Sequence, residues 1–464
     1  YTEPQGGSPA GKDLTFGNGA GEFKVNTWTG AAILTQNDLS FSIPGGLDIH
    51  FTRVYNSVSL VNYGMGPGWI SNYHQSIEID STTHNATWRT YDGSYQTFTW
   101  NPDSMIWLPP CFSYLDLQIE TINNINYYVI SDKYKKKYYF EYGNNGVGGL
   151  LVKIINLYGA EIQISWNGDK IVSVTDATTS RSLIFLYDIY DRLFQAQDPE
   201  GKTVNYTYNA SNQIATVTDP NGGYINFSYN ANSKLESVSN PDGFAYSFIY
   251  NQNNEVASIR DALLTQVQNY SFGLTTAITD SGGNTQIHAF DDRGYLSSIT
   301  LPRNITMSCT RNSMKEIATL LDSRGQTTTY NYDSLGNLLK ITYPDSKTIE
   351  YEYNQNSQIV DFKDKKNNHT EFEYYQDGRL SKEISDGITK KEYLFNGMDM
   401  TGIKDWFVNC EGQGSQATWS FTNDSNGYPR EITSPEGVKV TLINNNTGQT
   451  TSYIDALNNQ WDFT

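Results

Sequence analysis

The chain has 464 residues, 38% hydrophobic but 14% aromatic, with 34 tyrosines and a net charge of −18. That charge excludes a nucleic-acid surface built on a basic stripe, and no run approaches the roughly 18 consecutive apolar residues of a membrane span. The length suits roughly two to four ordinary domains or one continuous repeat array, and the aromatic excess predicts burial by tyrosine faces rather than by aliphatic helices.

Residues 1–25 read as a flexible lead-in, rich in Gly, Pro and Ser. Gly17-Asn18-Gly19-Ala20-Gly21 is no phosphate loop, because no strand precedes it and no Lys-Ser/Thr completes it. The chain begins with Tyr1 and carries no signal peptide, which predicts a processed or trimmed product. Residues 26–80 form a separate N-terminal unit. Leu47, Ile49, Phe51 and then Val54 predict a strand with one irregularity, running through Arg53 to Tyr55 and Asn56. Gly64-Met65-Gly66-Pro67-Gly68-Trp69 predicts a sharp turn that then buries a large aromatic, with the glycines serving backbone geometry. Asn72 and Tyr73 follow.

Residues 81–165 read as irregular strands. Trp88 to Trp100 is a hairpin around Asp92-Gly93, and Leu108-Pro109-Pro110 is a turn. The basic run Lys133 to Lys137 reads as charge protecting a sheet edge. Tyr138 to Tyr142 looks like an early, longer repeat.

From 166 to 464 a period appears. Tyr187, Tyr208, Tyr229 and Tyr250 are each 21 apart, and Tyr332, Tyr353 and Tyr374 resume the step. Asp198-Pro199-Glu200-Gly201 and Asp219-Pro220-Asn221-Gly222 keep it too. In Gly201 to Asn209, Val204, Tyr206 and Tyr208 alternate with Thr203, Asn205 and Thr207, the period of a strand. Asn after Tyr is turn chemistry, and Asp-Pro-x-Gly closes the next strand, with Gly supplying positive φ. One repeat is strand, turn, strand, turn. A lone hairpin is marginal in water, so copies must pair side by side. The fold class is all-β, an extended antiparallel sheet of ~21-residue hairpin repeats. Asp405 to Gln416 reads as an insertion, and the last strand at Trp461 leaves an edge that further chain or a partner should cover.

The five histidines are dispersed, and no nucleophile or zinc motif is present. Repeated Asp-Pro-x-Gly loops lack the Asp-x-Asp-x-Asp order of a calcium loop. Cys111, Cys309 and Cys410 read as buried free thiols. Neither a cofactor, nor a metal, nor an enzymatic activity is expected. Periodic Tyr reads as the packed face of a sheet, with sugar stacking the alternative.

The unit Tyr332-Asp333-Ser334-Leu335-Gly336-Asn337-Leu338, followed by Tyr351-Glu352-Tyr353-Asn354, resembles the YD repeat of Rhs proteins, teneurins and the C component of insecticidal toxin complexes. The set Arg53, Tyr55, Asn56, Gly66, Pro67, Gly68, Trp69, Asn72 and Tyr73 resembles the segment preceding the repeats in bacterial Rhs and wall-associated polymorphic toxins. The resemblance implies repeats spiralling into a hollow β cocoon around a partly unfolded toxin, with the N-terminal region helping to plug one end. The family's autoproteolytic core and its C-terminal toxin are not found, so no catalytic residue is carried over. The expected role is a secreted or cell-surface shell in interbacterial competition, incomplete here. Its expected partner is a C-terminal toxin cargo, a continuation of the chain or a second shell chain. The alternative is a secreted adhesion module binding glycan or surface protein through its outer face.

Overall fold

The computed structural model of the chain describes residues 14–16, 22–143, 146, 148–240, 242, 245–261, 266–385, 387–408 and 414–463. Alternation and turn chemistry act together in each repeat. In β18 (Thr203–Tyr208) only Val204 and Tyr206 are fully buried, and in β19 (Ile214–Thr218) Ile214 and Val217 are. Tyr208 stands opposite Ile214 across a bulge. The same bulged pairing joins Tyr229 to Leu235, Tyr250 to Val256, Tyr332 to Leu338 and Tyr353 to Ile359. The turn after each Tyr is closed by its Asn or Asp. Asn209 Oδ1 accepts the N–H groups of Ser211 at 2.9 Å and Gln213 at 3.0 Å, and Asn212 takes a left-handed φ of 58°. This is a type I turn with a left-handed bulge residue.

The strands from β6 (Ser76–Ile79) to β42 (Gln460–Asp462) form one 37-stranded sheet. From β10 (Asp116–Ile122) to β42 the strands pair antiparallel in chain order. The segment β6 to β9 (Ile106–Leu108) joins it where β6 pairs with β13 (Gly148–Ile155). The strands described within 81–165 thus belong to this same sheet, with a register shift between Tyr139 and Phe140. A second, five-stranded sheet holds β1 (Leu14–Phe16), β2 (Glu22–Val25), β3 (Ala32–Phe41), β4 (Ile49–Asn56) and β5 (Trp69–Ser71). Its first two strands lie in the expected lead-in: Phe23 and Val25 are buried apolar residues and pull that segment into the core. Residues 1–13 and 17–21 lie outside the described residues.

The long sheet has two unlike faces. Strand partners share a face, so the register carries one row from Tyr206 and Val217, through His288, Ile299 and Met307, to the last strands. Beyond Leu320 this row continues as Tyr330–Ile341, Tyr351–Phe362, Ile403–Trp419, Phe421–Ile432 and Tyr453–Trp461. The opposite face is mixed, with exposed aliphatics such as Ile184 and Leu186 among polar pairs. It carries Gln195–Asn205 and Thr216–Asn226 hydrogen bonds, then ion pairs such as Lys340–Glu350 at 2.7 Å and Lys404–Glu392 at 2.8 Å.

The ribbon also coils. One edge carries the turns after Tyr, the other the turns headed by Asp198 and Asp219. Lys133 Nζ donates to the Gly336 carbonyl at 2.9 Å, and Arg181 to the Asn446 carbonyl at 2.7 Å, joining residues 203 and 265 positions apart. Glu200 and Lys202 meet Asn446 and Gln449 in the same seam. The basic run expected to guard a sheet edge is thus the turn into β12 (Lys137–Glu141), with Lys133 stacked on Tyr114 and Tyr134 in the seam. Cys111 is exposed and Cys309 half-buried, against the expectation of buried thiols, because Cys111 lies in a connecting turn rather than on the inner row. Cys410 lies outside the described residues. The expected insertion is a lengthened hairpin of two ten-residue strands, Asp399–Val408 and Gly414–Asn423, whose residues 409–413 lie outside the described ones.

Candidate functional site at the junction of the two sheets

The five-stranded sheet stands on the inner face of the wall, and the spaced N-terminal residues make that contact. β3 and β4 pair with a bulge: Asn37 faces Thr52, Leu39 faces Phe51, and Asp38 is the extra residue. The irregularity expected near Phe51 therefore sits in the partner strand. It places Asp38 beside Arg53, whose side chain is 0% exposed. Arg53 Nη2 donates to Asp38 Oδ1 at 2.9 Å and to Gln36 Oε1 at 2.6 Å, and Arg53 Nε also donates to Asp38. The guanidinium lies over Trp69 at 4.8 Å and Tyr206 at 5.3 Å. Tyr206 completes the cluster by donating its hydroxyl to Asp38 Oδ2 at 2.6 Å. Burial alone would pull the Arg53 pKa down, but Asp38 overcomes it and holds the guanidinium above its ordinary value. Burial first, then the Asp38 charge, pushes the Tyr206 phenol up.

The turn at 64–68 docks on the edge carrying the Tyr turns. The Gly64 carbonyl accepts from Leu193 N–H at 3.0 Å and from the Tyr208 hydroxyl at 2.8 Å. Gly66 has φ 92°, and a Cβ there would lie 2.9 Å from Gln213 Cα, so no side chain fits. Half-buried Pro67 carries the turn to Gly68, whose carbonyl accepts from Asn56 N–H at 2.9 Å. That delivers Trp69, fully buried, with its indole N–H on the Tyr229 hydroxyl at 2.8 Å. Tyr55 packs tilted against Trp69, and its hydroxyl accepts from Leu235 N–H at 2.9 Å; burial pushes this phenol up to about 12. Asn72 ties β4 to the segment after β5, accepting from Thr52 N–H at 3.0 Å and donating to the His50 carbonyl at 2.9 Å. Tyr73 is buried beside it.

The repeat markers serve the wall itself. The hydroxyls of Tyr208, Tyr250, Tyr332, Tyr353 and Tyr374 each donate to the carbonyl of a Leu or Ile 15 residues earlier, at 2.6–3.0 Å. Each bond links one repeat to the previous one. Tyr187 bonds the backbone of Ile171, and Tyr229 is taken by Trp69. Asp198 and Asp219 close their turns as acceptors, with Gly201 at φ 81° and Gly222 at φ 87°. Gly336, at φ 70°, presents its carbonyl to Lys133.

Sequence reasoning missed Asp38, Tyr206, Arg181 and His74. His74 is fully buried, with Nδ1 2.6 Å from Ser71 Oγ, its ring stacked on Tyr63 and edge-on to Trp166, and Nε2 without a partner. Burial, then the Arg89 charge, holds its imidazole down at about 3. The only signal for Asp38 was a charge breaking the alternation of a strand. Among the described residues no group of three or more His, Cys, Asp and Glu is placed to hold a metal. No helix among them is long and apolar enough to cross a membrane.

Three family models match the chain. A domain of unknown function (DUF6531) matches residues 23–98, the Teneurin YD-shell 129–303 and the RHS Repeat 317–348. No curated protein matches the sequence. Solved structures similar to the chain include TcdB2-TccC3 without its hypervariable C-terminal region, at 10% identity and TM-score 0.48, covering 90% of this chain and 26% of that one. Another is the Photorhabdus luminescens Tc holotoxin pore, at 10% identity and TM-score 0.39, covering 95% of this chain and 28% of that one. The chain spans about a quarter of the length of these structures.

Proposed function

We propose, from the Teneurin YD-shell and RHS Repeat matches and the all-β antiparallel repeat wall, that this chain, of the Rhs/YD-repeat kind, forms part of a secreted container. The container holds a toxin polypeptide and helps to deliver it. The observation that carries this reading is the inner row of the wall. From Leu183 to His288 the row is buried, largely under the N-terminal sheet, whereas from Leu320 to Trp461 the same aromatic row is half-exposed. An inner face carrying half-exposed rings suits retention of a polypeptide without turnover. The N-terminal sheet acts as the plug at one end, and no catalysis is needed.

Protease treatment of the native product, followed by intact mass, tests the proposal. A product well above 52.3 kDa with a protected polypeptide of unrelated sequence is expected. A native product of about that mass, with no co-purifying and no protected polypeptide, would sink containment. Surface adhesion remains the second reading, favoured by Val172, Ile184, Leu186 and Phe194, which are 38–41% exposed on the outer face. The tyrosine rows do not favour it, since they point inward.

A further inference from the structure

The exposed part of the inner row holds a hollow. Where the tip of the β3–β4 hairpin ends, a cavity of about 480 Å³ opens over the last repeats. Phe395, Met400, Ile403, Phe421 and Ile432 line it from the wall. Pro44 and Gly46 form its rim, which is clamped in place. A Cβ on Gly45 would lie 2.2 Å from the Met398 carbonyl, and the Tyr428 hydroxyl donates to the Ser42 carbonyl. The one charged lining residue, Arg379, is engaged: Nε donates to Asp377 at 2.8 Å, Nη1 to the Gly397 carbonyl at 2.5 Å, and the guanidinium stacks 4.4 Å from the Phe395 centroid. Asn423 is engaged as well, donating to the Met400 carbonyl at 3.0 Å.

We propose that this cavity anchors one large apolar side chain, aromatic by preference, carried on an extended polypeptide lying along the inner wall. The proposal rests on the container reading and names what the wall recognises. Its occupant follows from continuity with the junction. Along the same row the wall already receives rings from a neighbouring β segment: Phe23 stacks on Phe248 at 4.1 Å, Phe51 meets Phe185 at 4.7 Å, and Trp69 meets Phe227 at 5.4 Å. The cavity begins where the segment supplying those rings stops. With Arg379 and Asn423 engaged, the mainly apolar lining favours a neutral side chain over a charged one. Met398 and Met400 supply a soft wall that adapts to the ring's shape.

The six methionines supply the measurement. In the full chain labelled with 13C-methyl methionine, a capped Gly-Ser-Phe-Ser-Gly peptide is titrated against its Gly-Ser-Ala-Ser-Gly counterpart. A saturable ring-current shift at Met398 and Met400 with the Phe peptide, absent with the Ala peptide and absent at Met307 and Met314, is the expected result. Met400→Glu should abolish the shift at Met398 while the resonance of Met65, buried at the junction, stays in place. No shift, or equal shifts at Met307 and Met314, would overturn the anchor. The protected-polypeptide experiment decides containment separately, so the two readings can fail independently.

Discussion

At the scale of single residues the molecule concentrates its polar commitments where the N-terminal sheet meets the wall. Arg53 and Asp38 are buried together, and removing either leaves the other charge without a partner. Arg53→Ala should cost about 3–5 kcal/mol, and adding Asp38→Ala should recover part of that loss. Urea denaturation followed at Trp69 measures both. The tyrosine hydroxyls are worth less. Tyr208→Phe loses the single hydroxyl proton that the Leu193 and Gly64 carbonyls share, and should cost about 1 kcal/mol. His74 supplies a pH dependence with a definite sign. Its folded pKa of about 3 lies below the ordinary imidazole value of 6.5, so the unfolded chain binds the extra proton between them. Stability is full above about pH 6.5 and falls by roughly 1.4 kcal/mol per unit as pH drops toward 3. Hydrogen exchange at β5 across that window should show the decline, and His74→Gln should flatten it.

At the scale of the hairpin, two turns with the same backbone demand differ in what surrounds them. Gly222 and Gly336 both have positive φ, but a Cβ on Gly222 meets nothing within 4 Å, whereas one on Gly336 would lie 2.3 Å from the Tyr114 ring. Gly222→Ala should therefore cost only the backbone strain, about 1 kcal/mol. Gly336→Ala adds a collision with the seam and should cost at least twice as much. Thermal melts of the two variants check the ratio. The outer ion pairs contribute little by comparison. Lys340–Glu350 is 42% and 36% exposed, and such pairs are worth about 0–1 kcal/mol. Their larger effect is on solubility, since they keep the outer face of a long sheet charged.

At the scale of the whole molecule, coiling depends on a few seam residues. Arg181 is buried and reaches three carbonyl or hydroxyl groups at once: Asn446, Ser42 and Tyr428. It joins the first winding, the N-terminal sheet and the last repeats. Arg181→Ala should leave the early wall intact but release the end of the ribbon. Limited proteolysis should then cut at the 445–449 turn, and small-angle scattering should register a larger radius of gyration. An unchanged cleavage pattern would show that the seam holds without this residue.

Hairpins, turns and the antiparallel order of strands were legible in the sequence because each depends on neighbours a few positions away. Alternation sets the faces of a strand, and Asn209 or Asp219 closes its own turn. The 21-residue step followed from the same local rules, and the Tyr hydroxyl bond to a carbonyl 15 residues back adds a physical reason for its regularity. The direction in which the tyrosines point was not legible, because both faces of a strand alternate equally well. Burial of Tyr206 under Arg53 and Asp38 decided it. The pitch of the coil was also invisible: it rests on contacts such as Arg181 with Asn446, made between turns whose local chemistry is ordinary. The sequence by itself determined which residues pair with their near neighbours. Only the tertiary structure decided which face became the inside, because that choice is made by a second sheet folding back onto the first.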